Sequence, residues 1–183
     1  MRQVHLNKIN KPIFLLGDAK DILKNIEGNS IDFILTSPPY DNLRDYKGFS
    51  FNFKEIAQEL FRILKNGGVM VWIVGDSVIN GSESLSSFYQ AIYFKEIGFK
   101  IHDTMIYQKN NFSNPSKTRY HQIFEYMFVV SKGNPKTFNP IIDRKNIYAG
   151  YTSLGENTTR KRDGGFTKQK KRARFCNCFL KIQ

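Results

Sequence analysis

Residues 31–40 read Ile31-Asp32-Phe33-Ile34-Leu35-Thr36-Ser37-Pro38-Pro39-Tyr40, an apolar run stopped by two prolines. The run predicts a buried strand over Ile31–Thr36, and the prolines turn it into a loop reaching to Gly48. Each proline fixes its φ and removes an N–H donor. What remains is a stiff loop of outward carbonyls, a serine hydroxyl and an aromatic face. It sits at the carboxyl end of a strand, where open α/β sheets bind ligands. Such a loop suits a planar group bearing an exocyclic amine. The amine hydrogens go to Ser37 and a proline carbonyl, and the ring stacks on Tyr40. The plainer reading is a turn that merely ends a strand.

The flanking sequence predicts the rest of a sheet. On the amino side, Ile13-Phe14-Leu15-Leu16 reads as a buried strand closed by Gly17-Asp18. Residues 19–27 read as a helix with Ile22, Leu23 and Ile26 on one face. On the carboxyl side, Phe53, Ile56, Ala57, Leu60, Phe61 and Leu64 form one apolar stripe of a helix, ended by Asn66-Gly67-Gly68. A strand over 69–74 follows, then a small polar loop over 77–84 and a helix over 85–97 ended by Gly98. Strands over 100–108 and 122–131 close the pattern, with a polar loop between them. Alternating strands and helices with two strands at the end predict an α/β fold. The expected architecture is a Rossmann-like, doubly wound sheet with an antiparallel carboxyl-terminal strand pair. Trp72 is expected in its core.

Composition narrows the class. The chain has 183 residues, 40% hydrophobic and 24% charged, enough apolar material for a core. No run approaches a membrane span, and the start has no secretory pattern. Cys176 and Cys178 are the only cysteines, so no disulfide framework is expected and a cytoplasmic protein is. His5, His102 and His121 lack partners at ligand spacing, and no metal site is expected. The net charge is +12 and unevenly spread. Residues 1–142 carry 17 Lys and Arg against 13 Asp and Glu, and residues 143–183 carry 11 against 3. The expected division is a core over 1–142 and a basic, poorly ordered tail over 143–183. A basic block of this kind favours a polyanion, with nucleic acid the commonest; a solvated tail without a partner is the alternative.

With this context, the Thr36-Ser37-Pro38-Pro39-Tyr40 segment resembles the catalytic motif of amino-group DNA methyltransferases. Those enzymes methylate cytosine N4 or adenine N6 with S-adenosyl-L-methionine. The resemblance runs in order over about residues 13–135. It takes in Leu16-Gly17-Asp18-Ala19, Ser30-Ile31-Asp32, Lys65-Asn66-Gly67-Gly68, Gly98-Phe99 and the strand from His121 to Gly133. A catalytic motif this near the amino end is similar to the permuted subclass. Serine before the prolines leans toward cytosine N4, with adenine N6 the alternative.

The resemblance implies roles. Ser37 and the Pro38 carbonyl accept the amine of an extruded base, Pro39 shapes the loop and Tyr40 stacks on the base. Asp18, Thr36 and Ser37 are expected at the cofactor, although Asp18 is equally well placed to cap the helix after it. DNA is the expected partner. Arg44, Lys117 and Arg119, with Arg160, Lys161, Arg162, Lys170, Lys171 and Arg172 in the basic block, are the candidate DNA-binding residues; an ordinary surface loop is the equal alternative for Arg44, and a solvated loop is the plainer reading for Lys117 and Arg119. Arg44 could instead meet the cofactor carboxylate, and Asp76 either lines the pocket or caps a turn.

The family's Phe-x-Gly-x-Gly-like cofactor loop and ribose-binding acid have no counterpart here. In that family their strands lie between the 13–16 strand and the 31–36 strand. The sheet is therefore expected to be incomplete, as in a truncated chain, inactive alone and open to a second polypeptide or a dimer. The other readings are a non-catalytic DNA-binding or assembly fragment, and a methyltransferase acting on RNA or a protein amide.

Overall fold

The computed structural model of the chain describes residues 12–39, 51–112, 115, 117–139 and 158–168. Two compact units divide at Thr137 and Phe138. The first holds α1 (Ala19–Lys24), β1 (Ile31–Thr36), α2 (Phe53–Ile63), β2 (Leu64–Val74), β3 (Val78–Ile79), β4 (Ser82–Glu83), α3 (Ser86–Glu96), β5 (Phe99–Gln108) and β6 (Phe124–Lys132). The second holds a hairpin of β7 (Thr158–Arg160) and β8 (Phe166–Lys168). No helix among the described residues is long and apolar enough to cross a membrane.

The main sheet runs β1-β2-β6-β5. β1 lies parallel to β2, and β6 runs antiparallel between β2 and β5. This is the α/β, Rossmann-like arrangement with the antiparallel pair that the sequence predicts. The core forms where helix stripes meet one sheet face. Ile56, Ala57, Leu60 and Ile63 of α2 and Phe94 of α3 pack on Met70, Trp72 and Val74 of β2 and on Phe128 and Val130 of β6. Aromatic edges interlock there, with Trp72 against Phe94 at 5.1 Å and 80° and Phe94 against Phe99 at 5.5 Å and 83°.

Helix ends are closed by side chains. Asp18 caps α1 by accepting from the Lys20 N–H at 3.0 Å. Arg62 donates to the carbonyl of Leu23 in the last turn of α1 and to that of Ile26 just beyond it, at 2.9 and 2.8 Å. Lys132 donates to the Phe61 carbonyl near the end of α2 at 2.9 Å and to Asn29 Oδ1 at 2.8 Å. Cations belong at such carbonyl-rich ends. Burial, aided by the Arg62 charge, pulls the Lys132 ammonium below the ordinary lysine range. Gly98 ends α3 at φ +110°, and a Cβ there would lie 3.1 Å from the Phe61 ring.

The structure differs from the sequence expectation in three places. Residues 13–16 form no strand, and Phe14 and Leu16 are almost wholly exposed. An apolar run becomes a strand only when a neighbour takes its backbone groups, and no described strand lies beside this one. α2 stops at Ile63, before the glycines, because β2 starts at Leu64 and takes Lys65-Asn66-Gly67-Gly68 into a bulge opposite β1. Finally, residues 77–84 are a hairpin and not an open loop.

Among the described residues, no helix covers the second sheet face. Partners across the ladder share a face, so Phe33, Leu35, Val69, Val71, Ile73, Met127 and Val129 lie opposite the core. The described helices all pack on the other face. On β1, an edge strand, Phe33 is 56% and Leu35 63% exposed. A doubly wound sheet carries helices on both faces; the described residues supply one of those two layers.

Candidate functional site

β1, β2 and β5 all end at the same rim of the sheet. Three connections therefore gather there: residues 37–39 after β1, residues 75–85 after β2, and residues 109–112, 115 and 117–123 after β5. The register pairs Thr36 with Trp72, which sets Ser37 and the prolines beside the last turn of β2. Ser37 is exposed, Pro38 is buried and Pro39 is half-buried. Burying the first proline fixes the direction of the loop, because the ring packs and the backbone cannot rotate about its φ. Tyr40 and Arg44 lie outside the described residues.

The floor beneath the loop is rigid. The buried indole N–H of Trp72 donates to Oε1 of Gln90 at 2.7 Å, tying β2 to α3. Asp76, also buried, lies two residues beyond β2. Its Oδ1 accepts from the Ser87 N–H at 2.8 Å and the Ser86 hydroxyl at 3.2 Å, and its Oδ2 accepts from the Ser87 hydroxyl at 2.6 Å. Of the two roles open to Asp76 in the sequence, the structure displays the cap: a carboxylate holding the amino end of α3. Tyr126 of β6 lies nearby, and burial, with the charges of Asp76 and Glu83, raises its phenol above the ordinary range.

The hairpin is a feature that sequence reasoning missed. Its turn is Asn80-Gly81 with φ +49° and +79°, a two-residue turn of the kind that joins short antiparallel strands. Asn-Gly after Val78-Ile79 was the available signal. Arg119, a candidate DNA contact, donates to the Gly81 carbonyl at 3.1 Å. That bond joins the connection after β5 to the connection after β2. In the same connection, Lys109 pairs with Glu125, Phe112 stacks on His121 at 3.9 Å, and Lys117 and Tyr120 are exposed.

Asp18 caps α1, with an exposed side chain whose free lone pairs still admit a ligand amine. Arg160 falls on β7, and Lys161 and Arg162 are exposed in the turn before β8, where the Lys161 N–H donates to the Gly165 carbonyl at 2.6 Å. Lys170, Lys171 and Arg172 lie outside the described residues.

A test of S-adenosyl-L-methionine against this donor set gives a partial fit. Asp18, Thr36 and Ser37 supply acceptors of the kind an adenosine amine and ribose hydroxyls need. No glycine cradle for a methionine carboxylate lies at the rim among the described residues. The outer edge of β1 has no described strand beside it.

Comparison with known proteins gives a consistent picture. A family profile described as DNA methylase, of the N6/N4 amino type, matches residues 31–174. The chain is similar to the orphan methyltransferase M.BamHII of Bacillus amyloliquefaciens, 57% identical over 141 residues, which are 77% of this chain and 53% of that one. The chain thus spans about half the length of that relative. Among solved structures it resembles M1.HpyAVI in complex with SAM, with a TM-score of 0.51 and 26% identity over 71% of this chain and 60% of that one. The fold also matches the cytosine-N4-specific PvuII DNA methyltransferase, with a TM-score of 0.54 and 22% identity over 66% of this chain and 49% of that one.

Proposed function

The chain belongs to the N6/N4 amino-group DNA methylase family, and on that footing we propose that it transfers a methyl group to the exocyclic amine of an extruded DNA base, cytosine N4 ahead of adenine N6. The observation that carries this reading is the Ser37-Pro38-Pro39 loop at a sheet rim, with its first proline buried and its serine exposed. Bound S-adenosyl-L-methionine supplies an electrophilic methyl group. Asp18, Thr36 and Ser37 hold the adenosine side of it.

The chain's own residues act on the amine. The base leaves the duplex, since its amine is inaccessible in the stack. The Ser37 oxygen and the Pro38 carbonyl each accept one amine hydrogen. This draws the nitrogen lone pair out of conjugation and points it away from the ring. Tyr40 holds the ring flat. The lone pair takes the methyl group as the carbon–sulfur bond breaks, and one amine proton leaves to solvent. Positioning and fixed dipoles supply the acceleration. Arg44, Lys117, Arg119, Arg160, Lys161, Arg162, Lys170, Lys171 and Arg172 meet the DNA backbone, and this part of binding weakens with salt.

We further propose that a second polypeptide segment adds strands beside β1 and covers the face that carries Phe33 and Leu35. The exposure of those side chains supports this. On this reading the chain alone binds the cofactor weakly.

Labelled methyl transfer to DNA followed by nucleoside analysis tests the activity. N4-methylcytosine is expected, and N6-methyladenine would transfer the reading to the adenine enzymes. Ser37→Ala should abolish transfer without lowering the melting temperature. Full-rate transfer by that variant would remove Ser37 from the mechanism. Micromolar cofactor binding by the isolated chain would show that no second segment is needed.

A further inference from the structure

The hairpin over residues 77–84 is a short prong whose first strand is apolar. Its two outward residues, Val78 and Ile79, are 51% and 56% exposed. Neighbouring strand residues point to opposite faces, so each face of the prong carries one exposed aliphatic side chain, Val78 beside Glu83 and Ile79 beside Ser82. Its one acid, Glu83, pairs with Val78 at the root, while Ile79, Asn80, Gly81 and Ser82 form an uncharged tip.

The prong is fixed at both ends. At the root, the Ser84 N–H donates to the Ser77 carbonyl at 2.8 Å. There the Asp76 carboxylate accepts from the Ser84 hydroxyl at 3.4 Å and the Ser87 N–H at 2.8 Å. At the tip, Arg119 holds the Gly81 carbonyl at 3.1 Å. Two exposed β-branched residues on a mobile loop would be unremarkable. Here they stand on an element hydrogen-bonded at its root and at its tip, on the same rim as the Ser37 loop.

Resting on the DNA reading above, we infer that Val78 and Ile79 are a wedge that enters the base stack of duplex DNA and occupies the space left by the extruded base. Apolar side chains separate base steps in this way, at an unstacking cost of a few kcal/mol that the enzyme must offset. The setting favours nucleic acid over a protein surface. The prong stands at the rim where the base must enter, and its tip is tied to Arg119, two residues from Lys117 and next to the wholly exposed Tyr120. Cations beside the apolar tip engage the phosphates that flank an opened step.

The test compares Val78→Thr/Ile79→Thr with the wild-type chain. Threonine keeps the branched shape and strand preference of the hairpin and removes its apolar surface. The probes are two short duplexes of identical flanking sequence, one fully paired and one with a central mismatched cytosine, measured by fluorescence anisotropy at fixed salt. In the mismatch the opening is already made. The double variant should bind the paired duplex roughly tenfold more weakly and the mismatched duplex almost as well as wild type. Equal weakening on both duplexes would overturn the inference, leaving a surface contact with no wedge. Unchanged binding on both would overturn it too. A wild-type chain that binds neither duplex would overturn the DNA reading itself, and the wedge with it.

Discussion

Trp72 and Gln90 share one buried hydrogen bond, 2.7 Å from the indole nitrogen to the amide oxygen, between the central strand β2 and the helix α3. Neither group has water as an alternative. Gln90→Met leaves the indole N–H unsatisfied, and Trp72→Phe leaves the amide unsatisfied. Each single variant should lose about 1–3 kcal/mol in urea unfolding. The double variant should lose less than the sum, and strict additivity would show that the bond contributes nothing.

Asp76 anchors both α3 and the hairpin. Asp76→Ala removes the carboxylate from the Ser87 N–H and the Ser86 and Ser87 hydroxyls, and should cost about 1–3 kcal/mol. Amide exchange over residues 77–86 should quicken more than exchange in β6. Asp76→Asn keeps an acceptor for the helix amide and should recover part of the loss, since asparagine caps almost as well.

Lys24 and Glu55 join α1 to α2 by an ion pair at 2.5 Å. The lysine holds the Glu55 carboxyl below its ordinary value of 4.5, through the hydrogen bond first and its charge second. A lowered carboxyl contributes stability that is complete above pH 4.5 and lost as pH falls through the native value. The melting temperature of wild type should therefore exceed that of Glu55→Gln at neutral pH, and the gap should close on acidification. A gap that widened in acid would contradict this assignment. The pair is exposed, so the whole effect is small.

Lys132 is the one described cation that bonds near the end of α2 from another element, through the Phe61 carbonyl, with its ammonium 4.8 Å from the Phe61 ring centre. Lys132→Met should cost about 1–2 kcal/mol by leaving that carbonyl short of a donor. Burial lowers the lysine's native value below its ordinary 10.5, so the charged form carries a penalty in the fold. The sign follows. Wild type should gain on Lys132→Met as pH climbs from the native value toward 10.5, read from paired unfolding curves.

Phe33 and Leu35 supply a fifth test of the architecture. Both are more than half exposed, so Phe33→Ser should move the isolated chain's stability by no more than about 0.5 kcal/mol. A loss of several kcal/mol would mean that the face is covered within the chain.

The sequence carried the interior of this fold well and its margins poorly. The stripe of α2 and the run of β2 were legible because each buries one regular pattern against the other, and Trp72 sits where that pattern put it. Residues 13–16 misled because apolarity specifies a wish to be covered and not the strand that covers it. The bulge at Lys65–Gly68 was hidden for a related reason, since register belongs to pairs of strands. At the site, the direction of the Ser37-Pro38-Pro39 loop could be read from the prolines alone. The reach of Arg119 to Gly81 could not, because it joins residues 38 apart.

The exposed side chains of β1 carry a consequence of the proposed second segment. Phe33 and Leu35 present the kind of apolar surface by which chaperones and proteases detect misfolded proteins. On the proposal that another polypeptide covers them, the lifetime of a solitary copy would be set by how soon that surface is shielded, and its abundance would follow the supply of the shield.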